Sequence, residues 1–346
     1  MIKKLIKFSR QDTTLFVLLA LFAVMLIVFG SLLKNKFFSF DNFQSMGYQI
    51  PEFAFLALAM SITMITGGID LSVVANANLA GIMAGYVLTG GVFGPEAGLS
   101  ELSLVTIAII VALIVATLGG IFNGILISKL SIPPILATMG TMIFYNGIST
   151  AITEGKGVVG FPELYLTLGT VAPLGIPLVF YVFLIAFAIV AFVLLRTPFG
   201  QSIYLYGENR IASLFSGIKN ENVVIRAYAL AGFLAGVAAI IMTSRVNSAK
   251  YNYGDSYLMQ AILVAILGGI SPNGGRGRVT NVIFGILILQ GLQSAFTLFA
   301  FSPYARRMIF GFMLLLVMML NYLLDKYYSR TPVGLDNTKK ITPEAS

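Results

Sequence analysis

The chain alternates long apolar runs with short polar segments, and this pattern decides which solvent surrounds it. Of its 346 residues, 58% are hydrophobic and only 10% are charged, whereas soluble domains carry about 25% charged residues. So few charges cannot cover a water-facing surface, and most of the exterior must therefore face lipid. Because a helix satisfies its own backbone hydrogen bonds in lipid, the sequence predicts an all-α, polytopic membrane protein.

Ten apolar segments are predicted to cross the membrane, since a crossing needs about 20 apolar residues and fewer where a helix is broken or buried. In chain order they cover residues 14–33, 50–65, 71–88, 102–128, 134–152, 177–195, 223–244, 257–268, 280–299 and 305–324. The second and eighth are the weakest. Residues 1–330 are predicted to form one transmembrane domain, and residues 331–346 a short, disordered cytoplasmic tail.

Lysine and arginine set the predicted orientation, because cytoplasmic segments are enriched in both. With a cytoplasmic N-terminus and ten crossings, 15 of the 22 cations lie inside and seven outside. Both termini are therefore predicted to be cytoplasmic. This bias also accounts for the net charge of +8 without a nucleic-acid partner. The basic residues 1–10 precede an apolar run without a small-residue cleavage site, which indicates a retained anchor.

Several chemistries are excluded by what the sequence lacks. It contains no cysteine and no histidine, so disulfides and histidine-ligated metals are impossible. No phosphate-binding Gly-x-x-x-x-Gly-Lys-Ser/Thr loop is present, and residues 155–160 are interpreted as a turn-rich loop. Glu52 and Asp70 are expected at helix ends, which leaves the spans without the buried charges typical of ion-coupled transporters. The chain is predicted to be no enzyme and to bind no cofactor itself.

Small residues are predicted to bring helices close together. Gly-x-x-x-Gly pairs occur at 81 and 85, at 120 and 124, and at 232 and 236. Such spacing lets two helix backbones approach closely, and we interpret it as tight packing within a solid bundle.

A polar interruption separates the second and third spans and reads Thr66-Gly-Gly-Ile-Asp-Leu-Ser-Val73. Gly67 and Gly68 are predicted to break the helix, and Asp70 or Ser72 to cap the next one. Unwound backbone in a membrane is tolerated where it is buried or lines a cavity, so a joint beside a translocation path is the functional alternative. Asn76 and Asn78 are predicted to bond neighbouring helices, with substrate contact as the alternative.

The longest polar segment, residues 196–226, is predicted to carry a short helix along the membrane surface. Breaks are expected at Pro198, Gly200, Gly207 and Gly217. Asn209 is a predicted N-cap, and Gly217 is predicted to end the helix in a left-handed conformation. Apolar residues recur at helical spacing at Ile211, Leu214, Phe215 and Ile218. Such a helix suits a groove on a partner protein, or alternatively lipid headgroups.

A glycine-rich loop, residues 268–278, is predicted to be irregular and cytoplasmic. It contains Gly268, Gly269, Gly274, Gly275 and Arg276. Arg276 is predicted to touch headgroups or to support a partner interface.

Three motifs together resemble one family. They are the segment 66–73, then Arg196-Thr-Pro-Phe-Gly200 with Tyr206-Gly-Glu-Asn209, Ala212 and Ser216-Gly-Ile218, and finally Leu267-Gly-Gly-Ile-Ser-Pro-Asn-Gly-Gly-Arg-Gly-Arg278. In this order, over residues 50–325, the chain is similar to the permease subunits of ribose-type ABC sugar importers, the second carbohydrate-uptake class. It departs from the family at Glu208 and Ile211, where glycine and alanine are frequent, and at Arg210.

The resemblance implies a multi-pass permease of the bacterial cytoplasmic membrane. It would move a monosaccharide such as ribose, xylose or galactose, and the alternative cargo is a nucleoside or a sugar-like signalling molecule. The alternative from another class of protein is an ion-coupled secondary transporter or a channel. Implied partners are an ABC ATPase that holds ATP and Mg, a second permease copy or homologue, a sugar-binding protein outside, and lipid. The residues implied to couple to the ATPase are Gly207, Glu208, Asn209, Ala212, Ser216 and Gly217, and those implied to meet the binding protein are Arg245, Lys250 and Asp255.

Overall fold

The structure, a computed structural model, describes residues 10–91 and 100–330, and the predicted tail lies outside them. Thirteen α-helices occur in these ranges: α1 Arg10–Leu33, α2 Phe40–Ile65, α3 Val73–Leu88, α4 Glu101–Ser128, α5 Pro134–Thr153, α6 Glu163–Thr170, α7 Leu178–Arg196, α8 Pro198–Glu208, α9 Arg210–Phe215, α10 Asn220–Val246, α11 Asp255–Leu267, α12 Val279–Leu298 and α13 Pro303–Arg330. Two 3₁₀ turns, Lys34–Lys36 and Pro173–Gly175, complete the helical elements. The predicted all-helical architecture is confirmed, with one small addition: β1 (Val158–Val159) pairs antiparallel with β2 (Ser248–Ala249).

Within the described ranges, seven helices are long and apolar enough to cross a membrane: Leu15–Lys36, Phe40–Ile65, Glu101–Ser128, Pro134–Thr153, Leu178–Arg196, Asn220–Val246 and Val279–Leu298. The helices α3 and α11 are apolar but shorter. Each of these two adjoins an irregular segment that interrupts the apolar pattern, which explains why they are short.

Helix α2 is the centre of the bundle. Every residue from Ile50 to Ile65 is buried, and α7, α10, α11 and α12 pack around it. The helix begins at Phe40, ten residues earlier than predicted, because its polar first turns find partners. Ser39 Oγ accepts a hydrogen bond from Asn42 N at 3.2 Å, and Asn42 Oδ1 accepts one from Ser294 Oγ at 2.7 Å. Glu52 therefore lies in the middle of α2, and its predicted place at a helix end is wrong.

Two of the Gly-x-x-x-Gly pairs face each other, at the contact of α4 with α10. A Cβ added to Gly120 would lie 3.1 Å from Gly232 Cα, and one on Gly124 would lie 2.7 Å from Ile225 Cα. A Cβ on Gly236 would meet Ala116 Cβ at 3.0 Å. The prediction of tight helix packing is confirmed, since side chains at these positions would force the two helices apart.

The segment after α7 is more helical than predicted. Pro198 is the first residue of α8, and Thr197 Oγ1 caps that helix by accepting from Gly200 N at 3.3 Å. Gly200 and Gly207 lie inside α8, so the predicted breaks at these positions are wrong. Gly200 is needed for close approach instead, since a Cβ there would overlap the backbone of Leu194.

Candidate functional site

Three glycine-containing segments meet at one end of the bundle. Gly275 N donates a hydrogen bond to the carbonyl of Ile65, the last residue of α2, at 2.9 Å. A Cβ on Gly207 would overlap that same carbonyl oxygen, and one on Gly274 would lie 2.8 Å from Gly67 Cα. The φ angles of Gly67, Gly274 and Gly275 are +80°, +89° and +69°, a region that favours glycine. We call Gly67, Gly207, Gly274 and Gly275 the glycine junction.

An ion pair lies beside the glycine junction. Arg276 Nη2 donates to Glu208 Oε1 at 3.0 Å, and Arg276 Nε donates to Glu208 Oε2 at 3.3 Å. Both side chains are more than half exposed. The hydrogen bonds and charge of Arg276 hold the pKa of Glu208 below its ordinary value of 4.5. The pair thus links the end of α8 to the loop between α11 and α12 by side chains as well as by backbone.

Helix α9 begins and ends as predicted. Asn209 Oδ1 accepts hydrogen bonds from Ile211 N at 2.9 Å and Ala212 N at 3.0 Å, which confirms the N-cap. Gly217 has a φ of +79°, and Ile218 N donates back to Ser213 O at 3.1 Å. This is a C-terminal motif in which a left-handed glycine closes the helix.

The outer face of α9 is apolar and uncovered. The exposed fractions are 68% for Ile211, 61% for Leu214 and 87% for Phe215, and Ala212 and Ser216 are exposed as well. Ile218 instead packs against the core, so it does not belong to this face. The helical spacing therefore includes three exposed residues, Ile211, Leu214 and Phe215, and one residue, Ile218, that holds the segment to the core.

Side chains of α10 and α8 hold α9 in place. Asn220 Nδ2 donates to the Arg210 carbonyl at 2.8 Å, and Ser213 Oγ donates to Asn220 Oδ1 at 2.8 Å. The Arg210 guanidinium lies 5.2 Å from the centre of the Tyr206 ring, within range of a cation–π interaction. Between α9 and the loop that joins α4 to α5 lies a groove of about 400 Å³.

The interruption between α2 and α3 is tied to two neighbouring helices by a buried polar network. Asp70 Oδ1 accepts from Ser72 N at 2.9 Å and from Ser72 Oγ at 2.7 Å. Asn123 Nδ2 donates to Ser72 Oγ at 2.7 Å, and Thr141 Oγ1 donates to Asn123 Oδ1 at 2.7 Å. Ser72 occupies the N-cap position of α3 without a side-chain capping bond. The predicted capping by Ser72 is therefore wrong, because its hydroxyl bonds Asp70 and Asn123 instead.

The two asparagines of α3 bond protein groups. Asn76 Nδ2 donates to the Ala116 carbonyl of α4 at 2.8 Å, as predicted for a contact between helices. Asn78 Nδ2 donates to the Tyr251 carbonyl at 2.7 Å, which ties α3 to the loop after β2. A role of either side chain in contacting cargo stays a prediction.

The remaining glycines of the glycine-rich loop shape the end of α11. A Cβ on Gly268 would lie 2.8 Å from Val282 Cα of α12. Gly269, at a φ of +80°, follows the last turn of the helix. These residues allow α11 and α12 to approach closely, and they adjoin the glycine junction along the chain.

A buried ion pair at the opposite end of the bundle was missed by sequence reasoning. Arg245 Nε lies 2.6 Å from Glu52 Oε1, and Tyr257 Oη donates to Glu52 Oε2 at 2.6 Å. Arg245 is thus engaged inside the chain, whereas Asp255 is exposed at the start of α11 and Lys250 is partly exposed. The signal in the sequence was Glu52 itself, within a run whose polar residues continue back to Asp41.

Comparison with known proteins agrees with this architecture. Residues 43–318 match the family model described as "Branched-chain amino acid transport system / permease component". The ribose import permease protein RbsC of Haemophilus influenzae is 34% identical over 306 residues, which cover 87% of this chain and 91% of the relative. RbsC of Bacillus subtilis is 33% identical over 305 residues, covering 88% and 91%.

A third relative is named for a different cargo. The autoinducer 2 import system permease protein LsrC of Photorhabdus laumondii is 30% identical over 315 residues, which cover 91% of this chain and 90% of the relative. No solved structure matches the chain. The chain therefore belongs to the family of transport-system permease components, the multi-pass inner-membrane subunits of ABC importers, which have no catalytic site of their own.

Proposed function

We propose that this permease imports a monosaccharide of the ribose type, driven by ATP hydrolysis in a separate subunit. The observation that carries the ATP-driven part of this proposal is the uncovered apolar face of α9, on a helix capped at both ends and hydrogen-bonded to α10. The ribose-type cargo rests on the two RbsC relatives. A water-exposed phenylalanine on a rigid, short helix fits a groove on another protein. The family assignment makes an ABC ATPase the expected owner of that groove.

The predicted coupling residues divide into two groups under this proposal. Asn209, Ala212, Ser216 and Gly217 shape or present α9 to the ATPase, which holds ATP and Mg. Gly207 and Glu208 belong to α8 and act behind that contact. The departures at Arg210 and Ile211 adapt the contact to this chain's own ATPase, and the departure at Glu208 supplies the carboxylate that pairs with Arg276.

The proposed membrane topology has ten crossings with both termini in the cytoplasm. The end of the bundle that carries α9 and the glycine-rich loop is then cytoplasmic, and the end that carries β1 and β2 faces outward. The cation distribution supports this orientation. A second copy or a homologue completes the path, with the α2–α3 interruption, including Gly68 and Asp70, bordering it. A sugar-binding protein docks at the outer end, where Lys250 and Asp255 are available.

A sugar-like signalling molecule is the second candidate cargo, and the LsrC relative favours it. A nucleoside remains a weaker alternative. An ion-coupled transporter is disfavoured by the family assignment.

The test is uptake by the permease reconstituted in vesicles with its partner ATPase and sugar-binding protein. Radiolabelled ribose should accumulate only when ATP is supplied on the side of the membrane that carries the ATPase. Unlabelled ribose should compete with the labelled sugar for uptake. Competition by autoinducer 2 but not by ribose would replace the sugar with the signalling molecule. Uptake that persists without ATP but collapses with the ion gradient would contradict the importer itself.

A further inference from the structure

The glycine junction joins three backbone segments with no room between them. The Ile65 carbonyl, one of the unpaired acceptors at the end of a helix, is satisfied by Gly275 N. Gly207 packs directly on the same carbonyl, and a Cβ on Gly275 would lie 2.5 Å from Glu208 N. Because the contacts are between backbone atoms, no side-chain rotation can absorb a displacement of one segment relative to another.

The junction is also the structure that stands directly behind α9. Helix α8 ends at Glu208 and α9 begins at Arg210, so Asn209, the N-cap, is the single residue between them. A force applied to the exposed face of α9 therefore reaches Glu208 through one residue. The Glu208–Arg276 ion pair then connects Glu208 to the glycine-rich loop, so that the loop is displaced with the end of α8.

The residues that follow Gly67 in the chain contact α5 and α10 instead of the glycine junction. A Cβ on Gly68 would lie 2.5 Å from Tyr228 Oη of α10 and 2.9 Å from Pro134 Cβ of α5. Thr138 Oγ1 of α5 donates to the Ile69 carbonyl at 3.0 Å. Gly67 thus belongs to the junction, whereas Gly68 and Ile69 contact α5 and α10. The boundary between the glycine junction and the segment held by α5 and α10 therefore lies between Gly67 and Gly68.

We propose that the glycine junction and the Glu208–Arg276 pair form one rigid unit that carries movement of α9 to the ends of α2 and α11 together. Glu208 and Arg276 are then positioning residues for transport, and the chain bends at Gly67–Gly68 against α5. This inference rests on the proposed coupling of α9 to an ATPase.

Cysteine bridging tests whether the unit moves as one. The chain contains no cysteine, so Glu208→Cys with Arg276→Cys can be bridged by a short bifunctional thiol reagent in a transporter whose other subunits lack cysteine. The unbridged double variant should lose part of its uptake because the ion pair is gone. Bridging should restore uptake, and cleavage of the bridge should remove it again. Inhibition by the bridge would overturn the proposal.

Charge exchange gives a second measurement with natural residues. Glu208→Arg and Arg276→Glu should each lose uptake, and the combined variant should recover it while the ATPase still co-purifies. If either residue acts instead by direct contact with the ATPase, the combined variant stays inactive and loses the ATPase, which contradicts a positioning role.

Gly207→Ala tests the backbone contact itself. The permease should still co-purify with its ATPase, since α9 is unchanged, but uptake should be lost. The matched control is Gly140→Ala in α5, where an added Cβ meets nothing within 4 Å. Retained uptake by Gly207→Ala would overturn the proposal. If the unmodified transporter shows no ATP-dependent uptake, the proposed function fails instead, and the two failures are thereby distinguished.

Discussion

Glu52 in α2 and Arg245 at the end of α10 form an ion pair in which Arg245 Nε lies 2.6 Å from Glu52 Oε1. Tyr257 of α11 completes it by donating to the second carboxylate oxygen. The carboxylate side chain is only 3% exposed and that of Arg245 is 30% exposed. Three helices are therefore joined at a carboxylate that is almost completely shielded from solvent.

Arg245→Met should lower the free energy of unfolding by about 3 kcal/mol, because it leaves a buried carboxylate without its cation. Unfolding in mixed micelles measures the effect. The control is Lys156→Met, which breaks the exposed Lys156–Glu154 pair at 3.0 Å and should cost at most about 1 kcal/mol. Equal losses in the two variants would contradict a structural role for the Glu52–Arg245 pair.

Gly232→Ala should destabilise the contact between α4 and α10. An added Cβ would overlap the Ala116 carbonyl oxygen, so the helices must separate along their whole seam. We expect a lower thermal midpoint in detergent. Gly147→Ala in α5, where an added Cβ meets nothing within 4 Å, should instead be neutral or stabilise by up to about 1 kcal/mol. A neutral Gly232→Ala would show that the seam is looser than its geometry implies.

Asn123→Leu should cost about 1–3 kcal/mol of stability, because it removes two buried hydrogen bonds, one to Ser72 Oγ and one from Thr141 Oγ1, each worth about 0.5–1.5 kcal/mol. Thermal unfolding in detergent checks this. Thr106→Val is the control, since the exposed Thr106 hydroxyl bonds only the Leu102 carbonyl of its own helix. A change no larger than that of the control would mean that the network is not a stabilising link between α3, α4 and α5.

The Glu208–Arg276 pair should stabilise the protein in a pH-dependent way. The pKa of Glu208 is lower in the folded protein than its ordinary value of 4.5. The stabilisation is therefore complete above pH 4.5 and is lost as the pH falls through the folded pKa. Wild type and Glu208→Gln should thus differ in thermal midpoint at neutral pH and converge in acid. High salt should shrink the neutral difference, and a difference that grows in acid would contradict the assignment.

Phe215→Ala should leave the permease as stable as the wild type, within about 0.5 kcal/mol, because an exposed side chain supports no packing. Its co-purification with the ATPase should nevertheless fall sharply. Leu174→Ala is the matched control, since Leu174 is 95% exposed but lies beyond the far end of the bundle from α9. An equal loss of ATPase in both variants would remove α9 from the interface.

The short helix α9 could be predicted because its signals are local. Asn209 caps the amides two and three residues after it, and Gly217 closes the C-terminus of the helix. Both act on backbone atoms that are close in sequence. The sequence periodicity failed at Ile218, since spacing cannot distinguish a residue that faces water from one that anchors the helix to the core.

The start of α2 could not be predicted from hydropathy. Polar residues recur from Asp41 to Gln49, but the folded bundle supplies their partners from distant parts of the chain. Ser294 Oγ donates to Asn42 Oδ1, and Gln290 Nε2 donates to Gln49 Oε1 at 3.2 Å. Glu52 was misplaced for the same reason. The glycine junction was hidden differently: each motif was visible, but their meeting depends on backbone contacts between residues far apart in sequence.

The pairing of β1 with β2 has a consequence for recognition at that end of the molecule. Val158 lies opposite Ala249 and Val159 opposite Ser248, and Asn247 Oδ1 accepts from Phe161 N at 2.9 Å. The two surface loops are therefore held together by hydrogen bonds in the folded protein. A protein that docks there meets a backbone whose conformational entropy has already been lost, so association itself need not order these loops.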